Sequence, residues 1–168
     1  DKLGVPWFYQ QQPIMQEAAE RMDGDSFCAY CSRMKRGIMY STCREQGYNV
    51  LALAQHLDDL AESFMMSAFH QGRLGTMKAH YTNDAGDIRV IRPLVYVRET
   101  QTSAFAEQAE LPIIPDSCPA CFSAPTQRAH FKTLLAQEER ANPQLFAKLL
   151  HAMRPLMGEQ QQAGDAKR

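Results

Sequence analysis

Apolar and polar positions run along this chain in blocks, and each change of period marks an expected element. Residues 5 to 10, Val-Pro-Trp-Phe-Tyr-Gln, form a short aromatic run between Gly4 and a glutamine tract, the pattern of a strand or its frayed end. Met15 to Arg21 is helix-like, and Asp23-Gly24-Asp25-Ser26 breaks the chain after it. From Cys31 to Gln46, Met34, Ile38, Tyr40 and Cys43 recur near helical spacing and Gly47 stands where a C-terminal cap is wanted, so a helix is expected. Val50 to Ala54 is a continuous apolar run ahead of Gln55-His56, which predicts a central parallel strand buried on both faces. Asp58 and Asp59 then open a helix running to Phe69, with Phe64, Met65 and Ala68 on one side and both carboxylates in its first turn.

The second half is read the same way. Gly72, Gly75, Asn83-Asp84 and Gly86 predict a loop over 72–87, followed by a strand from Ile88 to Val97 interrupted by Pro93. Glu99 to Leu111 is expected to be helical, Pro112 to Pro115 briefly extended, and Pro125 to Pro155 two short helices. The polar, Gln-rich stretch 158–168 is expected to be a disordered tail. Strands alternating with helices place the chain among α/β folds with a parallel sheet and helices on both faces.

A length of 168 residues suits one domain, and 45% apolar with 22% charged residues exclude disordered, collagen-like and coiled-coil chains. A formal charge of -1 means that any nucleic-acid surface must be a local patch. No apolar run is long enough to span a membrane, and the opening Asp1-Lys2-Leu3-Gly4 is neither an initiator nor a signal peptide. The chain is therefore expected to start in mid-domain.

Four of the five cysteines form two C-x-x-C pairs, Cys28/Cys31 and Cys118/Cys121, a pattern that favours a metal over disulfides and a reducing, cytoplasmic setting. Four thiolates would close a zinc site, while three around an iron-sulfur cluster would leave one iron open; spacing alone does not separate them. Cys43 is left over and is expected to be a partly buried, inert thiol. At the carboxyl end of the apolar strand lies Gln55-His56-Leu57-Asp58-Asp59, the place where α/β sheets collect ligands. Two adjacent carboxylates there can hold a divalent cation on nucleotide phosphates or orient a hydroxyl, and His56 can donate to an anion. The plainer alternative is that Asp58 caps the helix and His56 bonds to backbone. Arg33, Lys35 and Arg36 follow the first cysteine pair, and Arg73, Lys78, Arg89, Arg92 and Arg98 add positive charge further on, which suits a phosphate-bearing substrate. His70, His80, His130 and His151 have no ligand spacing and are read as structural.

Three stretches, Cys-Ala-Tyr-Cys-Ser-Arg-Met-Lys-Arg-Gly-Ile-Met-Tyr from Cys28, Ala-Gln-His-Leu-Asp-Asp from Ala54 and Ile-Arg-Pro-Leu from Ile91, together resemble the tRNA 2-thiocytidine synthetases of the PP-loop ATPases. The similarity takes in Ile113-Ile114-Pro115, Cys118-Pro-Ala-Cys121 and Ser123-Ala-Pro-Thr-Gln-Arg128, and covers about Leu3 to Leu156. It implies a Rossmann-like adenine-nucleotide hydrolase fold over residues 1–157, an enzyme that adenylates a cytidine of the tRNA anticodon loop with ATP and Mg, and a [4Fe-4S] cluster as sulfur carrier, zinc being the alternative. It maps the cluster ligands onto Cys28, Cys31 and Cys121, with Cys118 spare or alternative. Lys35, Asp58 and Asp59 match catalytic positions, His56 and Arg36 are the expected cofactor contacts, and Arg33, Arg73, Lys78 and Arg92 the RNA contacts. Implied partners are tRNA, a sulfur donor protein or sulfide, and a second copy in a homodimer, with no membrane. The family's Ser-Gly-Gly-Lys-Asp-Ser phosphate loop is absent, so the amino-terminal portion is expected to be missing; Ala54 and Gln55 also replace the usual glycine and histidine. The competing class is a non-catalytic, metal-bound binding module derived from the same family.

Overall fold

The computed structural model describes residues 4–21, 27–113 and 126–158, which divide into two compact units, Asp1–Leu51 and Ala52–Arg168. Each is described by itself. The first holds α1 (Ile14–Arg21) packed on α2 (Phe27–Glu45), with Ala18 fully buried and Cys43 enclosed. Helix α2 ends as its sequence demands: Gly47 takes the left-handed conformation at φ 74°, and the Tyr48 N–H donates to the Cys43 carbonyl. The helix begins earlier than the Cys31 expected, so Cys28 and Cys31 both lie on its first turns and not on a loop. Residues 5–10 are irregular and exposed; with two prolines nearby and nothing pairing with them among the described residues, the expected strand does not form.

The second unit is built on a three-stranded sheet in the order β1 (Val50–Ala52), β3 (Arg89–Ile91), β2 (His80–Thr82), the boundary between units falling inside β1. Among the described residues β1 is thus an edge strand, with both Val50 and Ala52 exposed, where a central, doubly buried one was expected. The cause is positional: an apolar run reports what a strand could bury, not which neighbours it receives. Nor is the described sheet all parallel, because β2 and β3 form an antiparallel hairpin with Tyr81 opposite Val90. The loop expected over 72–87 therefore contains a strand, and its tip is set by Asn83, whose buried Oδ1 accepts from the Asp87 and Ile88 N–H groups. Strand β3 stops at Ile91, ahead of Pro93, which has no N–H to give.

Helix α3 (Leu57–Gln71) is the spine of the unit. Leu57, Leu60, Ala61, Phe64 and Met65 fall at helical intervals along one face, which packs on α5 (Gln127–Ala141) and α6 (Leu145–Met157). Val95, Leu135, Phe146, Met153 and Met157 complete that core, and each fully enclosed side chain such as Leu60 or Met153 contributes roughly 1.5–3 kcal/mol. Helix α4 (Glu99–Gln108) runs along the outside, with none of its residues buried. Residues 114–125 and 159–168, which include Cys118, Cys121 and the expected tail, lie outside the described residues.

Candidate functional site

The turn from β1 into α3 carries the expected carboxylates, and the helix start explains their positions. His56 is the N-cap: its backbone N–H donates to Asp59 Oδ2 at 3.0 Å, while the Asp59 N–H points back at His56 Nδ1, 3.4 Å away. Nδ1 also lies 3.4 Å from Asp59 Oδ2 and 3.7 Å from Asp58 Oδ2, so the ring is seated against the amide and both carboxylates. The helix is thus capped by His56 and Asp59 and not by the Asp58 of the plain reading, while His56 bonds to backbone as that reading expected.

The two aspartates have different surroundings. Asp58 is 8% exposed, and its carboxylate receives both Nε and Nη2 of Arg98, at 3.1 to 3.2 Å, together with the Glu99 N–H at 2.7 Å. Arg98 also pairs with Glu139 of α5 and lays its guanidinium on the Phe146 ring, 3.3 Å from the centroid. The hydrogen bond to Glu139 chiefly, and the contacts with Asp58, hold the Arg98 pKa above its already high value, and Glu139 is lowered in return, chiefly by that hydrogen bond. Asp58 consequently anchors α3 to the start of α4. Asp59 is more open, its side chain 22% exposed, and its Oδ1 accepts from Arg128 Nη1 at 2.8 Å. The same Nη1 reaches Glu62 Oε2 at 3.2 Å. Glu62 is 4% exposed, and burial pushes its carboxyl up to about 7 even though Arg128 draws it down. Lys132 closes the group by donating to Glu99 at 2.7 Å, a bond that raises the lysine's pKa.

Glu62, Arg98 and Arg128 thus complete a site of which the helix start exposed only one side. One signal for Glu62 was available in the chain: it lies three residues after Asp59, on the same helix face, amid residues at buried spacing. The remaining expected residues divide between the units. Arg33, Lys35 and Arg36 are exposed on α2, and Cys31 is a half-buried free thiol there. Arg73 and Lys78 border one cavity beyond the carboxyl end of α3. Arg92 is engaged internally, donating from Nε to Gln55 and from Nη1 to the Lys78 carbonyl and lying over the Tyr81 ring. Among the described residues no group of three or more His, Cys, Asp or Glu is arranged to hold a metal, and no helix is long and apolar enough to cross a membrane.

The turn sits within a longer match: the model of the PP-loop domain fits residues 3–138. The chain belongs to the PP-loop family. Curated relatives agree with that membership. It is 40% identical over 134 residues to a tRNA-cytidine(32) 2-sulfurtransferase of Geobacter sulfurreducens, covering 80% of this chain and 52% of the relative. Enzymes of the same name from Rhizobium etli and Dinoroseobacter shibae are 41% and 38% identical, over 90% and 92% of this chain. The chain spans about half the length of these relatives. Among solved structures, the U34-tRNA thiolase NcsA from Methanococcus maripaludis with its [4Fe-4S] cluster aligns with a TM-score of 0.65 at 23% identity, over 81% of this chain and 46% of that one. That likeness gives the PP-loop chain its α/β fold.

Proposed function

We propose that this chain is part of an ATP-dependent tRNA sulfurtransferase that forms 2-thiocytidine in an anticodon loop. The observation that carries the reading is its 40% identity to tRNA-cytidine(32) 2-sulfurtransferases over 80% of its length. The turn before α3 supports it chemically. Asp59, held on one side by the His56 N–H and on the other by Arg128, presents a pre-oriented carboxylate to a nucleotide's Mg, while Asp58 fixes the helix beneath it. His56 is assigned to a phosphate. Lys35 and Arg36 are assigned to the nucleotide phosphates, and Arg33 to RNA, from their exposed places on α2.

Cys28 and Cys31 stand three residues apart near the start of α2, the spacing that puts two positions on one helix face. Soft thiolate donors of this kind suit iron-sulfur or zinc. We assign Cys28, Cys31 and Cys121 to a [4Fe-4S] cluster, with Cys118 spare; bound there, the cluster supplies an open iron for carrying sulfur. A sulfide or a sulfur donor protein, a homodimer and a cytoplasmic setting belong to the same proposal.

The test is thiolation by the complete gene product, purified without oxygen and given ATP, Mg, sulfide and tRNA lacking the modification. Nucleoside mass spectrometry should detect 2-thiocytidine. A protein with its metal intact that neither consumes ATP nor thiolates tRNA would be the binding module instead.

A further inference from the structure

Past the carboxyl end of α3, a cavity of about 310 Å³ opens that the aspartate site does not use. Arg73 and Lys78 line it with Ser63, Ser67 and Thr76, and among the described residues no carboxylate does. Elsewhere in this unit Arg98, Arg128 and Lys132 are each paired with acids, whereas neither Arg73 nor Lys78 has an ion-pair partner among the described residues. The segment that carries them is tied down along its length. Gly72 turns left-handed at φ 62°, Ser67 Oγ donates to the Arg73 carbonyl at 3.1 Å, and Thr76 Oγ1 donates to the Leu60 carbonyl at 2.7 Å. Arg73 Nε is steadied by Gln71 Oε1 at 2.8 Å, and Arg92 Nη1 holds the Lys78 carbonyl at 2.6 Å. At Gly75 the backbone passes so near α3 that a Cβ there would stand 3.1 Å from Ser67 Oγ. Cations held in place this way give up less freedom when they meet a ligand.

We propose that this cavity binds a phosphodiester of an RNA backbone through Arg73 and Lys78. The inference rests on the tRNA reading above and adds a second contact point to it. Carbonyls at the end of α3 repel anions, so the attraction has to come from these two side chains. The cavity lies along the same helix as the Asp58–Asp59 turn, with Thr76 of its wall bonded to the Leu60 carbonyl, so a strand seated at the turn runs on past it. Arg92 ties the two together, since one guanidinium bonds Gln55 beside the turn and the Lys78 carbonyl at the cavity.

Binding of the 168-residue chain to unmodified tRNA, to a single-stranded oligouridylate and to inorganic phosphate tests this, with Arg73→Gln/Lys78→Gln beside the parent chain. Thermal melting establishes that both are folded. The double variant should bind both RNAs on the order of tenfold more weakly near 0.1 M salt, and its slope of log affinity against log salt should be shallower by about 1.5. Equal RNA affinity and equal slope in a folded double variant would overturn the inference and leave the tRNA reading standing. Loss of inorganic phosphate binding with RNA binding unchanged would also overturn it, making the cavity a free-phosphate site. If the parent chain binds neither RNA at low salt, the inference falls together with the tRNA reading.

Discussion

Glu62→Gln should make this protein more stable at alkaline pH and leave it nearly unchanged in acid. The buried Glu62 carboxyl titrates at about 7 against an ordinary 4.5, chiefly because burial penalises its charged form. Below 4.5 the group is protonated in both the folded and the unfolded chain. Between 4.5 and 7 the folded state keeps a proton that the unfolded state has lost, so stability falls as pH rises, and it levels off above 7. At about 1.4 kcal/mol per pH unit, that interval amounts to roughly 3 kcal/mol. The attraction of Arg128 is already contained in the titration point, so glutamine, the neutral isostere, should recover nearly all of it. Urea unfolding followed by circular dichroism at pH 5, 6, 7 and 8 reads the result directly. The variant should match the parent at pH 5 within about 1 kcal/mol and exceed it by about 3 kcal/mol at pH 8. A stability difference that stays flat across those pH values, or a parent chain more stable at pH 8, would refute the reasoning.

Arg98→Met should cost about 3 kcal/mol in urea unfolding, because it strands the enclosed Asp58 carboxylate, and adding Asp58→Asn should restore part of the loss. Asp59→Asn in the complete enzyme should lower tRNA thiolation while cluster absorbance stays intact; undiminished thiolation would reduce Asp59 to a helix cap. Cys121→Ser should abolish cluster assembly and Cys118→Ser should be mild, by iron and sulfide analysis of anaerobic preparations. Stoichiometric zinc without sulfide, lost equally in both variants, would replace the cluster with a closed tetrahedral site.

What the chain's pattern made legible was local. The spacing of Leu60, Phe64, Met65 and Ala68 marks α3, Gly47 marks the end of α2, and Pro93 marks the end of β3, because each effect acts within a few residues. The rank of β1 in the sheet and the hairpin at Asn83 were not legible, since both depend on which distant segments come alongside. The same holds for the site. The Asp58–Asp59 turn shows itself as a helix start, but Arg98 meets Asp58 across 40 residues and Arg128 meets Asp59 across 69. No periodicity encodes such a pairing. Arg98 was visible as one charge in a basic cluster, and its service as a bridge between Asp58 of α3 and Glu139 of α5 was not.

The long reach of those pairings also sets an order of assembly as the chain leaves the ribosome. Helix α3 emerges with its apolar face uncovered, and the residues that cover it, Leu135, Phe146, Met153 and Met157, are made well after it. Until α5 is made, Arg98 lacks Glu139 and Asp59 lacks Arg128, and exposed apolar surface of this kind is what chaperones hold. Any nascent product that stalls before α5 therefore carries the complete His56–Asp59 motif without Arg128, Glu139 or the helices that cover α3.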